Sequence, residues 1–201
     1  LRNTLRYLIG NMNGHDASQA VPVADLPELE LWVLHRLWQL DTHVRRCCNE
    51  YDFHGLFREL YNFCTVDLSA FYFDIRKDSL YCDPNDSPTR RAVQTVLGEL
   101  FNCLTAWLAP ILCFTAEEAW LQRNPGEAES VHLRTFPEIP STWRNENLSK
   151  RWSYIRQVRR VVLGALEIER AEKRMGSSLQ AAPTVYVSPD KAELLSGLDL
   201  A

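Results

Sequence analysis

The chain has 201 residues, and its 22 basic and 26 acidic side chains give a formal net charge of −4. The composition is 46% hydrophobic and 24% charged, which is ordinary for a globular protein and excludes a disordered tail, a collagen-like fibre and a disulfide miniprotein. The most apolar stretch, residues 104–114, is about half as long as a bilayer requires and contains Pro110, so no membrane span is predicted.

The beginning of the chain and its cysteines indicate the setting of the protein. No basic and apolar leader is present, and the chain starts at Leu1 rather than Met, so we expect an internal part of a longer cytosolic protein. None of the six cysteines forms the C-x-x-C pair that zinc ribbons and redox sites need. We therefore expect free thiols, a reducing compartment and no bound metal.

Helical periodicity dominates the first half of the chain. Apolar residues recur every three or four positions from 31 to 48, after Pro27, which suits the first turn of a helix. A second apolar stripe runs from 53 to 72, and its helix is predicted to end near Cys82, where turn-forming residues begin.

Capping signals define the next two helices. Ser87 and Pro88 are typical of an N-cap and a first helical residue, and this helix is predicted to reach Leu108 before the following proline breaks it. The spacing of Thr115 and Glu118 matches a capping box, so a short helix is predicted to start there.

The last third of the chain is more varied. Prolines and a glycine between 124 and 147 exclude a long regular element. A helical pattern resumes at about 148 and continues to 174, where a Gly-Ser-Ser sequence ends it. Residues 184–187 are then predicted to form a short strand, and residues 189–198 a short helix.

These elements predict a mainly α fold with two parts. Residues 1–175 are predicted to form an antiparallel helical bundle. Because a lone strand cannot satisfy its own backbone hydrogen bonds, residues 176–201 are predicted to be the start of a small, truncated α/β module at the carboxyl end.

The basic residues are concentrated near the end of the predicted bundle. Residues 150–174 have a net charge of +5, whereas the remainder of the chain has −9, an asymmetry that is typical of a nucleic-acid-binding surface. Three arginines of this segment share one helix face through i, i+3, i+4 spacing: Arg156, Arg159 and Arg160. The alternative is a solvated helix face with internal ion pairs, such as Glu169 with Lys173.

Two smaller groups of side chains are further candidates. Arg2 and Arg6 stand four positions apart near the start of the chain, with Tyr7 beside them. Arg76 and Lys77 are predicted to end the second long helix, where the alternative role of the cations is to oppose the helix dipole. Most of the aromatic residues fall on apolar stripes and are predicted to lie in the core.

No catalytic site is indicated. The sequence has no G-x-x-x-x-G-K-[ST], no G-x-G-x-x-G and no H-E-x-x-H motif. Its five histidines are scattered, and none has the spacing of a shared metal site. We therefore assign no catalytic residue to this chain.

Several stretches, in order along the chain, carry a family resemblance. Residues 1–11 (LRNTLRYLIGN) and 66–81 (VDLSAFYFDIRKDSLY) resemble two helices of the anticodon-binding domain of bacterial-type isoleucyl-tRNA synthetases, which are class I aminoacyl-tRNA synthetases. Shorter similar stretches follow in the same order: Pro110, 115–120 (TAEEAW), 130–133 (SVHL), 136–137 (FP) and 176–181 (GSSLQA). The resemblance covers nearly the whole chain.

The resemblance implies a helical bundle that docks on the anticodon stem-loop of isoleucine tRNA. It implies a full enzyme, cytoplasmic and active in protein biosynthesis, that ligates isoleucine to its tRNA with ATP and Mg²⁺. The catalytic core and the editing domain are absent from this chain, as is the zinc-binding module that many members carry at the carboxyl end. The fragment itself is therefore predicted to be non-catalytic and without a cofactor, and we expect a monomer with no membrane partner.

The resemblance also favours RNA as the partner of the basic residues. RNA stems are held through phosphates, and single-stranded loops are bound by stacking and by hydrogen bonds to base edges. We predict seven phosphate-binding side chains: Arg2, Arg6, Arg76, Lys77, Arg156, Arg159 and Arg160. Tyr7 is a stacking candidate, and Asp67, which lies on an apolar stripe, is predicted to pair with a buried arginine.

Two other functions stay open on the sequence. One is a helical protein–protein interaction module whose basic helix docks on an acidic partner. Binding by either kind of domain would weaken with salt. RNA binding, in contrast, predicts that isoleucine tRNA displaces a labelled tRNA better than unrelated acidic proteins do. The other is an intact helical enzyme, which predicts turnover by the isolated chain.

Overall fold

The computed structural model describes residues 1–15, 17–126 and 129–197. Within these ranges the chain forms eight α-helices: α1 (Arg2–Asn11), α2 (Glu28–Asn49), α3 (Phe53–Asn62), α4 (Phe73–Cys82), α5 (Pro88–Leu108), α6 (Cys113–Arg123), α7 (Glu146–Ala171) and α8 (Pro189–Ala192). A π-helix, Phe63–Tyr72, joins α3 to α4 without a break. The mainly α fold predicted from the periodicity is confirmed.

The chain divides into two compact units, Leu1–Arg144 and Asn145–Ala201. The first unit contains α1 to α6, and the second contains α7 and α8. The domain boundary predicted after residue 175 is a different division from the one between these compact units. It stays a prediction. Across the described ranges, no helix has both the length and the hydropathy that a membrane span requires.

The central helix of the first unit is α5, which contacts α1, α2, α4 and α6. Its buried residues include Leu100, Leu104 and Trp107. The helix begins and ends where the sequence predicted, at Pro88 and Leu108. Neighbouring helices therefore pack their apolar stripes against a common partner, which fixes the positions of α1 and α4 side by side with α5.

The two predicted helix caps of this unit have different outcomes. The Ser87 hydroxyl accepts a hydrogen bond from the backbone N–H of Arg90, so the cap of α5 is confirmed. The capping box predicted from Thr115 and Glu118 is wrong, because backbone turns after Leu108 carry the chain into α6 two residues earlier. α6 begins at Cys113, and its N-terminus has no side-chain cap.

The long helix predicted between 53 and 82 contains a π-helical segment that the sequence did not indicate. In Phe63–Tyr72 the turns are wider than those of an α-helix, and the Ser69 hydroxyl donates to the carbonyl of Cys64, five residues earlier, at 2.8 Å. Much of the segment is buried, including Leu68 and Tyr72. α3 and α4 are therefore parts of one continuous helix whose register changes in the middle.

The principal helix of the second unit is α7. The Asn145 side chain caps it by accepting a hydrogen bond from the backbone N–H of Leu148 at 3.0 Å. The predicted helix over 148–174 is thus confirmed with bounds shifted by two or three residues. Later in this unit, the Arg151 guanidinium donates to the carbonyl of Ser196 at 2.6 Å.

The segment after α7 differs from its prediction. Residues 184–187 do not form the predicted strand, because no segment in the described ranges offers them a strand to pair with. The short helix predicted over 189–198 is present as α8 followed by a 3₁₀ turn, Glu193–Leu195. The part of this prediction that falls on Leu198 lies outside the described residues.

Candidate nucleic-acid interface

Arg2 and Arg6 lie four residues apart on the exposed side of α1. The Arg2 guanidinium donates to the Glu118 carboxylate of α6 at 2.7 Å, and both side chains are more than half exposed. Arg6 has no ion pair with any residue in the described ranges. Because exposed ion pairs contribute little free energy, Arg2 can exchange Glu118 for another anion at small cost.

Tyr7 is half-buried, and another protein ring covers one face of its own ring. Its ring stacks on the ring of Phe73 in α4, with centroids 4.1 Å apart and planes 18° apart. Burial raises the pKa of Tyr7, and the neighbouring Tyr81 hydroxyl adds to the increase. The stacking role predicted for Tyr7 is therefore taken by a protein ring in this structure.

An open groove of about 560 Å³ lies between α1 and the end of α4. Arg6 is the one charged residue on its wall, and Tyr81 exposes 64% of its surface there. The residues that line it are Asn3, Arg6, Tyr7, Gly10, Asn11 and Tyr81. Tyr81 is not among the residues predicted from the sequence, because it follows Leu80 at the end of a helical pattern and carries no signal of exposure.

Arg76 belongs to the core of the first unit. Its Nε and Nη2 donate to the two carboxylate oxygens of Glu30 in α2, at 2.8 and 2.7 Å. Glu30 is 0% exposed, and it also accepts a hydrogen bond from the Tyr72 hydroxyl at 3.1 Å. Burial lowers the pKa of Arg76, but the hydrogen bonds and charge of Glu30 outweigh it and raise the pKa overall. The Nε–Nη2 edge of the guanidinium is thus occupied by Glu30.

The helix position predicted for Arg76 and Lys77 is wrong. α4 continues to Cys82, so neither cation lies in the last turn, and neither caps the helix. Lys77 donates to the Asp74 carboxylate at 3.0 Å, and about half of each side chain is exposed. The sequence did contain one signal of the Arg76 partner: Glu30 stands between leucines on the apolar stripe of α2.

Asp67 has the structural role that the sequence predicted. Its carboxylate, in the π-helix, accepts a hydrogen bond at 3.0 Å from Nε of Arg36 in α2, whose side chain is 22% exposed. Glu59 lies 3.5 Å from the same guanidinium. The predicted pairing of Asp67 with an arginine is confirmed, but Arg36 is half-buried rather than buried. The pair connects α2 to the π-helix.

The three arginines predicted to share a face of α7 lie in its middle. Arg156 and Arg159 are half-buried, and Arg160 is exposed. Residues 150–160 contain five cations and no acidic residue, whereas residues 161–174 contain three of each. The excess positive charge of the helix is therefore confined to its first half and centre.

The charges in the second half of α7 and in the turn that follows it largely neutralise one another. Arg170 donates to Glu167 at 2.5 Å, and Arg174 donates to Glu169 at 2.6 Å and pairs with Glu172. The ion pair expected between Glu169 and Lys173 is wrong, because Arg174 occupies that carboxylate. A solvated, internally paired face therefore describes Arg170 and Arg174 with their glutamates.

The described ranges contain no group of three His, Cys, Asp or Glu side chains that would hold a metal ion. What the two units offer chemically is a set of exposed or half-exposed cations, on α1, on α4 and on the middle of α7. Such cations bind anions, and the arginine fork matches the geometry of phosphate and carboxylate groups.

Comparison with known proteins gives the family. A family model described as the anticodon-binding domain of tRNA ligase matches residues 30–185. The isoleucine–tRNA ligase of Agrobacterium fabrum is 55% identical over 202 aligned residues, which cover 100% of this chain and 21% of that protein. The isoleucine–tRNA ligases of Bartonella henselae and Mesorhizobium japonicum are each 52% identical over the whole chain.

The chain spans about one fifth of the length of these curated relatives. The family resemblance seen in the sequence is confirmed, and the interpretation as a protein–protein adaptor is not favoured. Because the family model matches more than half of its residues, the chain belongs to the anticodon-binding domains of tRNA ligases.

Proposed function

We propose that this chain is the part of an isoleucine–tRNA ligase that binds isoleucine tRNA at the anticodon stem-loop. The observation that carries the proposal is the identity of 49–55% to isoleucine–tRNA ligases over the whole chain. The acid-free basic segment of α7, residues 150–160, supports it with the charge that an RNA backbone attracts. The helical domain in this proposal comprises residues 1–175.

The phosphate contacts in this proposal are divided between the two units. In the second unit they come from Arg156, Arg159 and Arg160, and in the first from Arg2, Arg6 and Lys77. In this proposal Arg76 and Tyr7 do not contact the RNA themselves, because Glu30 and Phe73 hold their side chains. They position α4 and α1, on which Lys77 and Arg6 stand.

The same proposal places the chain in a larger enzyme. The parent ligates isoleucine to its tRNA with ATP and Mg²⁺ at a catalytic core outside these 201 residues. We propose a cytoplasmic enzyme that works as a monomer. In this proposal the reaction with ATP takes place in the rest of the full-length ligase, and this chain contributes affinity for the RNA.

The α7 arginines provide the test of RNA binding. Replacing Arg156, Arg159 and Arg160 together by alanine is expected to weaken binding of isoleucine tRNA and to flatten the slope of log affinity against log salt by about two units. The reason is that each phosphate contact on a single strand contributes roughly 0.7 to that slope. Affinity is measured at several salt concentrations, with thermal unfolding as a check that the variant is folded.

A matched control is available at the end of α7 and just after it. Replacing Arg170, Lys173 and Arg174 by alanine removes three charges from residues 161–174, where cations and acids are equal in number, and we expect a smaller change in slope. If the two triple variants have the same effect, the tRNA responds to net charge alone, and the assignment to residues 156–160 fails. If the first variant is folded and its slope is unchanged, this face does not bind RNA.

Catalysis by the isolated chain provides a second test. We expect no isoleucine-dependent exchange of pyrophosphate into ATP and no charging of tRNA, because these residues contain no nucleotide-phosphate loop. The full-length ligase, assayed in parallel, is the positive control. Exchange by highly purified chain would show an intact helical enzyme and overturn the prediction.

A further inference from the structure

The groove between α1 and the end of α4 is open, has a volume of about 560 Å³ and contains one cation. This volume lies within the range of about 300–1,000 Å³ that small-molecule sites occupy. None of the described residues that line it is acidic, and its remaining polar side chains are the amides of Asn3 and Asn11 and the hydroxyls of Tyr7 and Tyr81. This set of side chains suits an anionic ligand that also carries a planar polar group.

Gly10 is the residue of this groove that packing does not explain. It lies inside α1, where glycine is less favourable than any residue except proline. A Cβ at this position would meet no atom within 4 Å, and the left-handed turn that follows the helix is made by Gly14 instead. The fold therefore does not require glycine here, but any larger side chain would project into the groove.

Tyr81 supplies an aromatic surface at the same place. It is 64% exposed, and its hydroxyl lies beside that of Tyr7. Tyr7 in turn stacks on Phe73, which holds the Tyr7 ring in place. Arg6, four residues from Gly10 along α1, has no ion pair within the described ranges.

We propose that this groove holds one unpaired nucleotide of the bound RNA, with its base against Tyr81 and its phosphate on Arg6. The inference rests on the proposed function and deepens it, because it assigns a single-stranded part of the tRNA to α1 and α4. Unstacked bases are recognised by aromatic rings and by amides at their edges, and their phosphates by arginine. Gly10 leaves the space that the base occupies.

The proposal is tested with two groove variants and a stem-loop RNA that carries the isoleucine anticodon. Gly10→Leu fills the groove, and Tyr81→Ala removes the stacking surface. Each is expected to weaken binding about tenfold, the order of effect that losing one stacked base has. Gly98→Leu in α5, where a Cβ also meets nothing within 4 Å and which lies outside the groove, is the matched control.

Thermal unfolding separates binding from folding. We expect Gly10→Leu to unfold at the same or a higher temperature than the unchanged chain, because leucine is the better helix former. Weaker binding by a variant that is more stable cannot be due to lost structure. If both groove variants are folded and bind the stem-loop as tightly as the control, the groove holds no nucleotide. That result would favour a contact between the groove and another protein.

A second measurement keeps the inference separate from the proposed function. The amide resonances of residues 3–11 and of Tyr81 are followed while uridine 5′-monophosphate is added to millimolar concentration. If the chain fails to bind the stem-loop, the proposed function fails, and shifts confined to these resonances still support the groove. If the nucleotide shifts none of them, the inference is overturned.

Discussion

Replacing Glu30 by alanine is expected to lower the free energy of unfolding by about 3–5 kcal/mol. The carboxylate is 0% exposed, and it accepts two hydrogen bonds from Arg76 and one from Tyr72. Its loss leaves a cation and a hydroxyl without their shared partner inside the first unit. The change is a large fraction of the roughly 5–15 kcal/mol that stabilises a typical domain, and urea unfolding followed by circular dichroism measures it.

An exposed ion pair on the same helix provides the control. Glu50 pairs with Arg46 at 3.0 Å, and more than half of each side chain is exposed, so Glu50→Ala is expected to cost less than about 1 kcal/mol. If Glu30→Ala costs no more than Glu50→Ala, the buried ion pair does not hold α2 to α4. A double variant in which Glu30 and Arg76 both become apolar is expected to recover part of the loss.

The second large effect is expected at Trp107, which is fully buried in α5. Trp107→Ala is expected to lower the free energy of unfolding by about 3–5 kcal/mol, because it removes the contacts of the indole and leaves a cavity that the helices around α5 cannot fill. Denaturant unfolding measures this change, and an unaltered dependence on denaturant concentration shows that the unfolded state is the same.

Two further variants test whether the decrease in the free energy of unfolding at Trp107 comes from its burial. Trp107→Phe keeps part of the ring volume, so we expect a smaller decrease than for alanine. Phe114→Ala removes an aromatic ring that is 92% exposed in α6, and we expect a change within about 0.5 kcal/mol. Equal losses for Trp107→Ala and Phe114→Ala would contradict the position of Trp107 in the core.

The helices could be predicted because their signals are local. Apolar spacing and the Ser87 cap give the bounds of α5, and the stripe from 53 to 72 indicates a helix that ends at Cys82. The π-helix has no such signal, since an i to i+5 turn and an α-turn suit the same apolar residues. The strand predicted at 184–187 follows a local pattern as well, but a strand needs a partner that a local pattern cannot supply.

The candidate site was predictable to a lesser degree. The spacing of Arg156, Arg159 and Arg160 identifies a shared face, but it does not reveal the acids that pair with cations further along α7. The partner of Arg76 is 46 residues away in the sequence, so only the three-dimensional packing of α2 against the helix that contains α4 reveals it. Tyr81 and Gly10 come together for the same reason, through the contact of distant segments.

The π-helix between α3 and α4 restricts how the length of this chain can vary. Consecutive residues of an α-helix point about 100° apart, so removing one residue from Phe63–Tyr72 while the remaining turns kept their geometry would rotate everything after it by roughly that angle. Arg76 would then turn away from Glu30, and Tyr81 away from α1, although no side chain had been substituted. A one-residue insertion or deletion here alters the fold, whereas the same change in a surface loop is absorbed locally.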